Sequence, residues 1–107
     1  MFKVKTKKQN GYSAIKISGR LVTEKATTIV KAIDKIFSKG ETNVVLDLTE
    51  LEYIDSHGLG IFVFAWKNAA ENNRKLYFYN PQGFVNEMLH ETNLISVLNF
   101  IDNPENL

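Results

Sequence analysis

The spacing of apolar residues changes period along this chain, and that alternation constrains the fold more than any other feature. Residues 2–9 and 12–18 alternate apolar and polar, the period of a half-buried strand, and Asn10-Gly11 between them is a hairpin signal. Gly19 marks the end of the second strand. Thr23 then reads as an N-cap with Glu24 in the first turn. Ala26, Ile29, Val30, Ile33, Ile36 and Phe37 follow helical spacing, and Lys39-Gly40 suits a helix exit. "NVVLDL" at 43–48 is a compact β-rich run, the candidate central strand. Ser56 to Asn73 reads as a second helix and "KLYFYN" at 75–80 as a strand. Pro81 opens a third helix with Phe84, Val85, Met88 and Leu89 inward, and "SVLNFI" at 96–101 forms a last short strand. The polar tail, residues 102–107, is expected to fray. The order ββαβαβαβ predicts a single α/β domain over residues 1–107. Its sheet would be mixed, mostly parallel and four- to five-stranded, opened by a hairpin.

Composition narrows the function classes. A chain of 107 residues with 44% hydrophobic residues supports one core. Thirteen Lys and Arg against twelve Asp and Glu give a net charge of +1, which supplies no global field for direct nucleic-acid binding. Lys3, Lys5, Lys7 and Lys8 crowd the start; three alternate with Phe2, Val4 and Thr6, as in an edge strand guarded by lysine. The absence of cysteine removes disulfides and thiolate chemistry and fits a reducing compartment. No apolar run has the signal-peptide pattern or reaches the roughly 18 residues that span a bilayer. A cytoplasmic protein without direct membrane insertion is the expectation.

"YIDSHGLG", residues 53–60, concentrates the chemistry. Ser56 precedes a long helical pattern, so it is placed to cap that helix with its hydroxyl. Enzyme readings fit poorly. A nucleophile elbow needs glycine two residues before the serine, where Ile54 stands. His57, adjacent in sequence, points away from Ser56 by about 100° on a helix. A phosphate loop ending in Lys and Ser or Thr is absent. Asp55 and His57 have no further metal ligands at a recognisable spacing. We therefore expect no catalytic residue, no cofactor and no metal.

The helix after Ser56 carries two kinds of apolar residue. Leu59, Phe62, Val63, Trp66, Ala69 and Ala70 share one stripe, the expected core face. Lys67, Asn68, Glu71 and Asn72 mark the solvent side, yet His57, Ile61 and Phe64 fall there too, beside Gly60. Exposed apolar patches of this kind mark interaction sites, unless a neighbouring element covers them. A phosphate on Ser56 would bring −1.5 to −2 charges to that patch. The helix dipole favours it, Asp55 opposes it, and a partner on the patch would have to desolvate it. Ser56 thus stands either as a cap alone or as a switch acting on binding rather than on folding.

The stretch "NVVLDLTELEYIDSHGLGIFVFAWKNA" resembles the signature of STAS domains, named for sulfate transporters and anti-sigma factor antagonists. A Val-rich strand and an Asp lead, after a short connection, to Asp-Ser-x-Gly-Leu-Gly opening a helix. The similarity extends through "ISG" at 17–19 and "GFVNEML" in the third helix. It implies a mixed sheet with helices mainly on one face. It also implies an antagonist that binds an anti-sigma factor with serine kinase activity, is switched off when Ser56 is phosphorylated, and is restored by a serine phosphatase. Asp55, Ser56, Gly58, Leu59 and Gly60 match the motif position by position. Two positions depart from it. His57 replaces a residue that is often a small hydroxyl. "GRLV" puts Val22 where antagonists usually carry an acid, in a Gly-x-Leu-Asp run. The partner-binding set is then Asp55, Ser56, His57, Gly58, Gly60, Ile61 and Phe64. The alternative is a non-phosphorylated scaffold subunit of a membrane transport complex of the phospholipid ABC type.

Overall fold

A computed structural model of the chain describes residues 2–107. Strands β1 (Phe2–Gln9) and β2 (Tyr12–Leu21) form the antiparallel hairpin, in register from Phe2↔Gly19 to Gln9↔Tyr12. Gly11 takes φ +90° at the turn, a conformation open to glycine at no steric cost. A 3-10 turn (Thr23–Lys25) leads into α1 (Ala26–Ser38), then β3 (Asn43–Asp47), β4 (Leu51–Ile54), α2 (Ser56–Glu71), β5 (Lys75–Tyr79), α3 (Gly83–Glu91) and β6 (Phe100–Ile101). The sheet runs β1-β2-β3-β5-β6, with β4 also paired to β2. Every pairing but the first hairpin is parallel, as the alternation requires.

Among the described residues the sheet has six strands rather than four or five, because β4 was not expected. Its four residues pair with the end of β2, which runs on to Leu21 instead of stopping at Gly19. A register irregularity at Gly19/Arg20, with Gly19 at φ +88°, lets β2 serve two partners: residues 13–16 pair with β3 and residues 19–21 with β4. The last strand is shorter than expected. Leu94–Ser96 forms a 3-10 turn, and only Phe100–Ile101 pairs with β5. The tail carries a 3-10 turn at Pro104–Asn106, capped by the Asn103 side chain, and the Leu107 carbonyl approaches Gly11.

One core holds the fold. Ile15 and Ile17 of β2, Val44 and Leu46 of β3, and Leu76 and Phe78 of β5 share a face and pack with Ile29, Ile33 and Phe37 of α1, Leu59 and Phe62 of α2, and Val85 and Leu89 of α3. All three helices therefore cover the same side of the sheet. The alternate residues of those strands, among them Lys16, Asp47, Tyr77 and Tyr79, face the other way. β1 is the sheet edge, and Lys3, Lys5 and Lys7 are exposed along it. Phe84 departs from its expected inward place. It is 41% exposed and stacks on Tyr53, with ring centroids 5.1 Å apart and planes 6° from parallel; the Arg20 guanidinium lies 4.1 Å from the Tyr53 centroid.

Beside the hairpin turn, a half-buried carboxylate ties the two strands down. Glu41 pairs with Lys8 and accepts a 3.1 Å hydrogen bond from the Ser13 hydroxyl. The Lys8 ammonium holds its carboxyl below the usual range, with Ser13 and the Thr42 amide helping and burial opposing.

Candidate functional site: the start of the second long helix

α2 begins where β4 ends. Ile54 pairs with Leu21, and the Asp55 amide still donates to the Leu21 carbonyl at 3.3 Å, so Asp55 stays extended (φ −98°, ψ 179°). That geometry makes Asp55 the N-cap and puts Ser56 at the first helical position. The expectation that Ser56 caps the helix is thereby corrected. The cap is the Asp55 carboxylate, whose Oδ1 accepts from the Gly58 amide at 2.9 Å. Its other oxygen, Oδ2, accepts from the Thr23 amide at 3.1 Å and from the Thr23 hydroxyl at 3.2 Å. The Gly58 amide holds the carboxyl below the usual carboxylate range; burial opposes, and the Thr23 amide, the Thr23 hydroxyl and His57 add to the effect. One ionised side chain thus joins the end of β2 to the start of α2.

Thr23 was expected to cap α1, and it does not. It opens the 3-10 turn behind an extended Val22, and its hydroxyl serves Asp55. Sequence reading missed it as a site residue because only the β2–β4 pairing brings the two ends together. Val22, where the family pattern carries an acid, is half-buried with a side chain that offers no acceptor, and the neighbouring threonine makes the bridge as a donor.

The other candidates divide between two faces of α2. Gly58 is buried: a Cβ there would lie 2.6 Å from Ile54 Cγ1 and 3.2 Å from Leu21 Cγ. It lets the helix settle on the strand ends and presents no surface to a partner. Leu59, Phe62, Ala65 and Ala69 line the buried face, so Ala65 joins the expected stripe while Ala70 is exposed. On the outer face, Ser56, His57 and Gly60 are exposed, Phe64 is 56% exposed and Ile61 is half-buried. A Cβ on Gly60 would meet nothing within 4 Å, so no internal contact requires glycine there. His57, Gly60, Ile61 and Phe64 sit at i, i+3, i+4 and i+7 and so share one surface, and Ser56 stands just before them at the first helical position. Among the described residues no group of three or more His, Cys, Asp or Glu side chains could hold a metal ion. None of the described helices is long and apolar enough to cross a membrane.

The family model for the STAS domain matches residues 3–107. The chain belongs to the STAS domain family. It is 22% identical over 102 residues to an anti-sigma-B factor antagonist of Staphylococcus aureus, covering 95% of this chain and 94% of that protein. An anti-sigma factor antagonist from Mycobacterium paratuberculosis superposes with a TM-score of 0.83 at 18% identity, over 99% of this chain and 90% of the other. The anti-sigma factor antagonist SpoIIAA, in its unphosphorylated form, gives a TM-score of 0.70 at 17% identity, covering 99% of this chain and 92% of the other. SpoIIAA in its phosphorylated form, described as a Bacillus cell fate determinant, matches equally well, with a TM-score of 0.70 at 17% identity. At these identities the structural likeness establishes the fold, which is that of the STAS domain.

Proposed function

We propose that this STAS domain is an anti-sigma factor antagonist: a regulatory binding protein, working in the cytoplasm, that occupies an anti-sigma factor and so releases a sigma factor. The observation that carries the reading is the outer face of α2. It puts an exposed hydroxyl, Ser56, beside an exposed glycine and an exposed phenylalanine that the fold itself does not use. The names of the S. aureus relative and of the structural neighbours support it. His57, Gly60, Ile61 and Phe64 form the contact, with Asp55 holding the helix start. Ser56 is the residue phosphorylated, by an anti-sigma factor with serine kinase activity, and a serine phosphatase restores it. A dianion at the rim of an apolar contact must be desolvated or displaced, and each 1.4 kcal/mol of that cost weakens binding about tenfold.

The test is affinity capture of the chain from its own cells with Ser56→Ala and Ser56→Asp variants. Ser56→Ala should retain the anti-sigma factor and Ser56→Asp should lose it; equal retention by both overturns the switch. Val22 in place of an acid favours a second reading, in which the domain is a non-phosphorylated scaffold subunit of a phospholipid ABC-type transport complex. Under that reading both variants would bring down the same membrane complex.

A further inference from the structure

We infer that the state of Ser56 is passed through Asp55 and Thr23 to the turn between β2 and α1, so that Thr23–Lys25 moves with the start of α2 as one switched surface. This rests on Ser56 being the modified residue. The Asp55 carboxylate is the joint. Oδ1 holds the Gly58 amide of α2, and Oδ2 holds both donors of Thr23. Beyond Thr23 the turn is held by its own backbone alone. It is one 3-10 turn, with the Lys25 amide donating to the Val22 carbonyl at 2.8 Å and the Ala26 amide to the Thr23 carbonyl, without a side-chain cap, and Thr23, Glu24 and Lys25 are all exposed. Ala26, the first residue of α1, is buried, so the exposed part of the segment ends at Lys25.

Phosphorylation changes the competition at this joint. The γ-phosphoryl group of a nucleoside triphosphate is transferred to Ser56 Oγ: the new O–P bond forms as the bond to the nucleoside diphosphate breaks, and the hydroxyl proton passes to a base on the kinase. The resulting group sits at the first helical position, carries more charge than Asp55, and reaches the same first-turn amides. It displaces the neighbouring carboxylate by occupying its donor and by repelling its charge. When Asp55 swings away, Gly58 keeps an anionic acceptor and Thr23 keeps none. The signal therefore appears at the β2–α1 turn, not within α2.

Amide hydrogen exchange by NMR tests this on the chain carrying genetically incorporated phosphoserine at position 56. The Thr23 amide should exchange about tenfold faster than in the unmodified chain, the scale set by losing one charged acceptor, while Gly58 stays protected and the central amides of Val45 and Leu46 are unchanged. Asp55→Ala should speed Thr23 exchange without any phosphate, and Ser56→Ala should not. An unchanged Thr23 amide in the phosphoserine chain overturns the relay, and so does faster exchange spread evenly over the sheet. Because the phosphate is installed rather than made by a kinase, the result stands apart from whether cells phosphorylate Ser56. A phosphoserine chain that relays to Thr23 yet keeps its partner would sink the proposed function alone.

Discussion

Gly58 and Gly60 stand two residues apart in the same helix turn and meet opposite surroundings. Gly58 is pressed against Ile54 and Leu21, and any side chain there would collide; Gly60 faces open space. Phe62 and Phe64 repeat the contrast one turn later. Phe62 is fully buried, with its ring centroid 5.1 Å from that of Phe78, while Phe64 is 56% exposed. Glycine inside an exposed helix costs roughly 0.5–1 kcal/mol relative to alanine, so Gly60 is a cost the fold has no reason to carry. The inner pair answers to packing. The outer pair has no packing role, and under the proposed function it is the part of α2 offered to a partner.

Substitutions at these four positions can break that comparison. Phe62→Ala should destabilise by about 3–5 kcal/mol, the range for emptying a large buried aromatic site, whereas Phe64→Ala should stay within about 0.5 kcal/mol. Chemical denaturation reads both, and a comparable loss at Phe64 would mean that its face is covered. Gly58→Ala should cost about 1–3 kcal/mol, because the added carbon overpacks the junction with Ile54 and Leu21. Gly60→Ala should instead stabilise by about 0.5–1 kcal/mol while weakening partner capture. If it raised the melting temperature and left capture intact, Gly60 would lie outside the contact.

The smallest effect concerns pH. Glu41 and Asp55 are both held below their ordinary values in the folded chain, Glu41 first by Lys8 and Asp55 first by the Gly58 amide. Each therefore stabilises the fold above the unfolded carboxylate value of about 4, and that contribution is lost as pH falls through its depressed folded value. Thermal melts from neutral to acid pH should show Glu41→Gln and Asp55→Asn less stable than the parent near neutrality. The curves should converge once the pH has fallen below the depressed folded values of the two carboxyls. Differences that persist undiminished in acid would assign them to packing instead.

Much of this architecture was legible in the residues, because long periodic segments carry their own period. The positions from Ala26 to Phe37 named the buried face of α1, and "NVVLDL" named the central strand. What escaped was set by contacts remote in sequence. β4 is only Leu51–Ile54, too short for a period, and it is a strand because β2 shifts register past Gly19 to meet it. That pairing also decides the cap. Asp55 and Ser56 are both good N-caps, and the choice falls to Asp55 because the strand holds its backbone extended. Thr23 was misread for the same reason. Phe84 fits the apolar spacing of α3 but turns outward, since Tyr53 offers it a ring to stack on. The Asp-Ser-x-Gly-Leu-Gly motif pointed to the candidate site, and the geometry divides its residues into those buried in the fold and those left exposed.

The central claim is that the outer face of α2 is a contact surface switched at Ser56. Peptide-level mass spectrometry of the chain taken from its own cells, across growth and stress, tests it most directly. The account predicts a phosphate on Ser56 whose occupancy rises and falls between conditions. A Ser56 that stays bare in every condition would contradict the switch and leave Val22 as the departure that matters, with the domain serving as a scaffold.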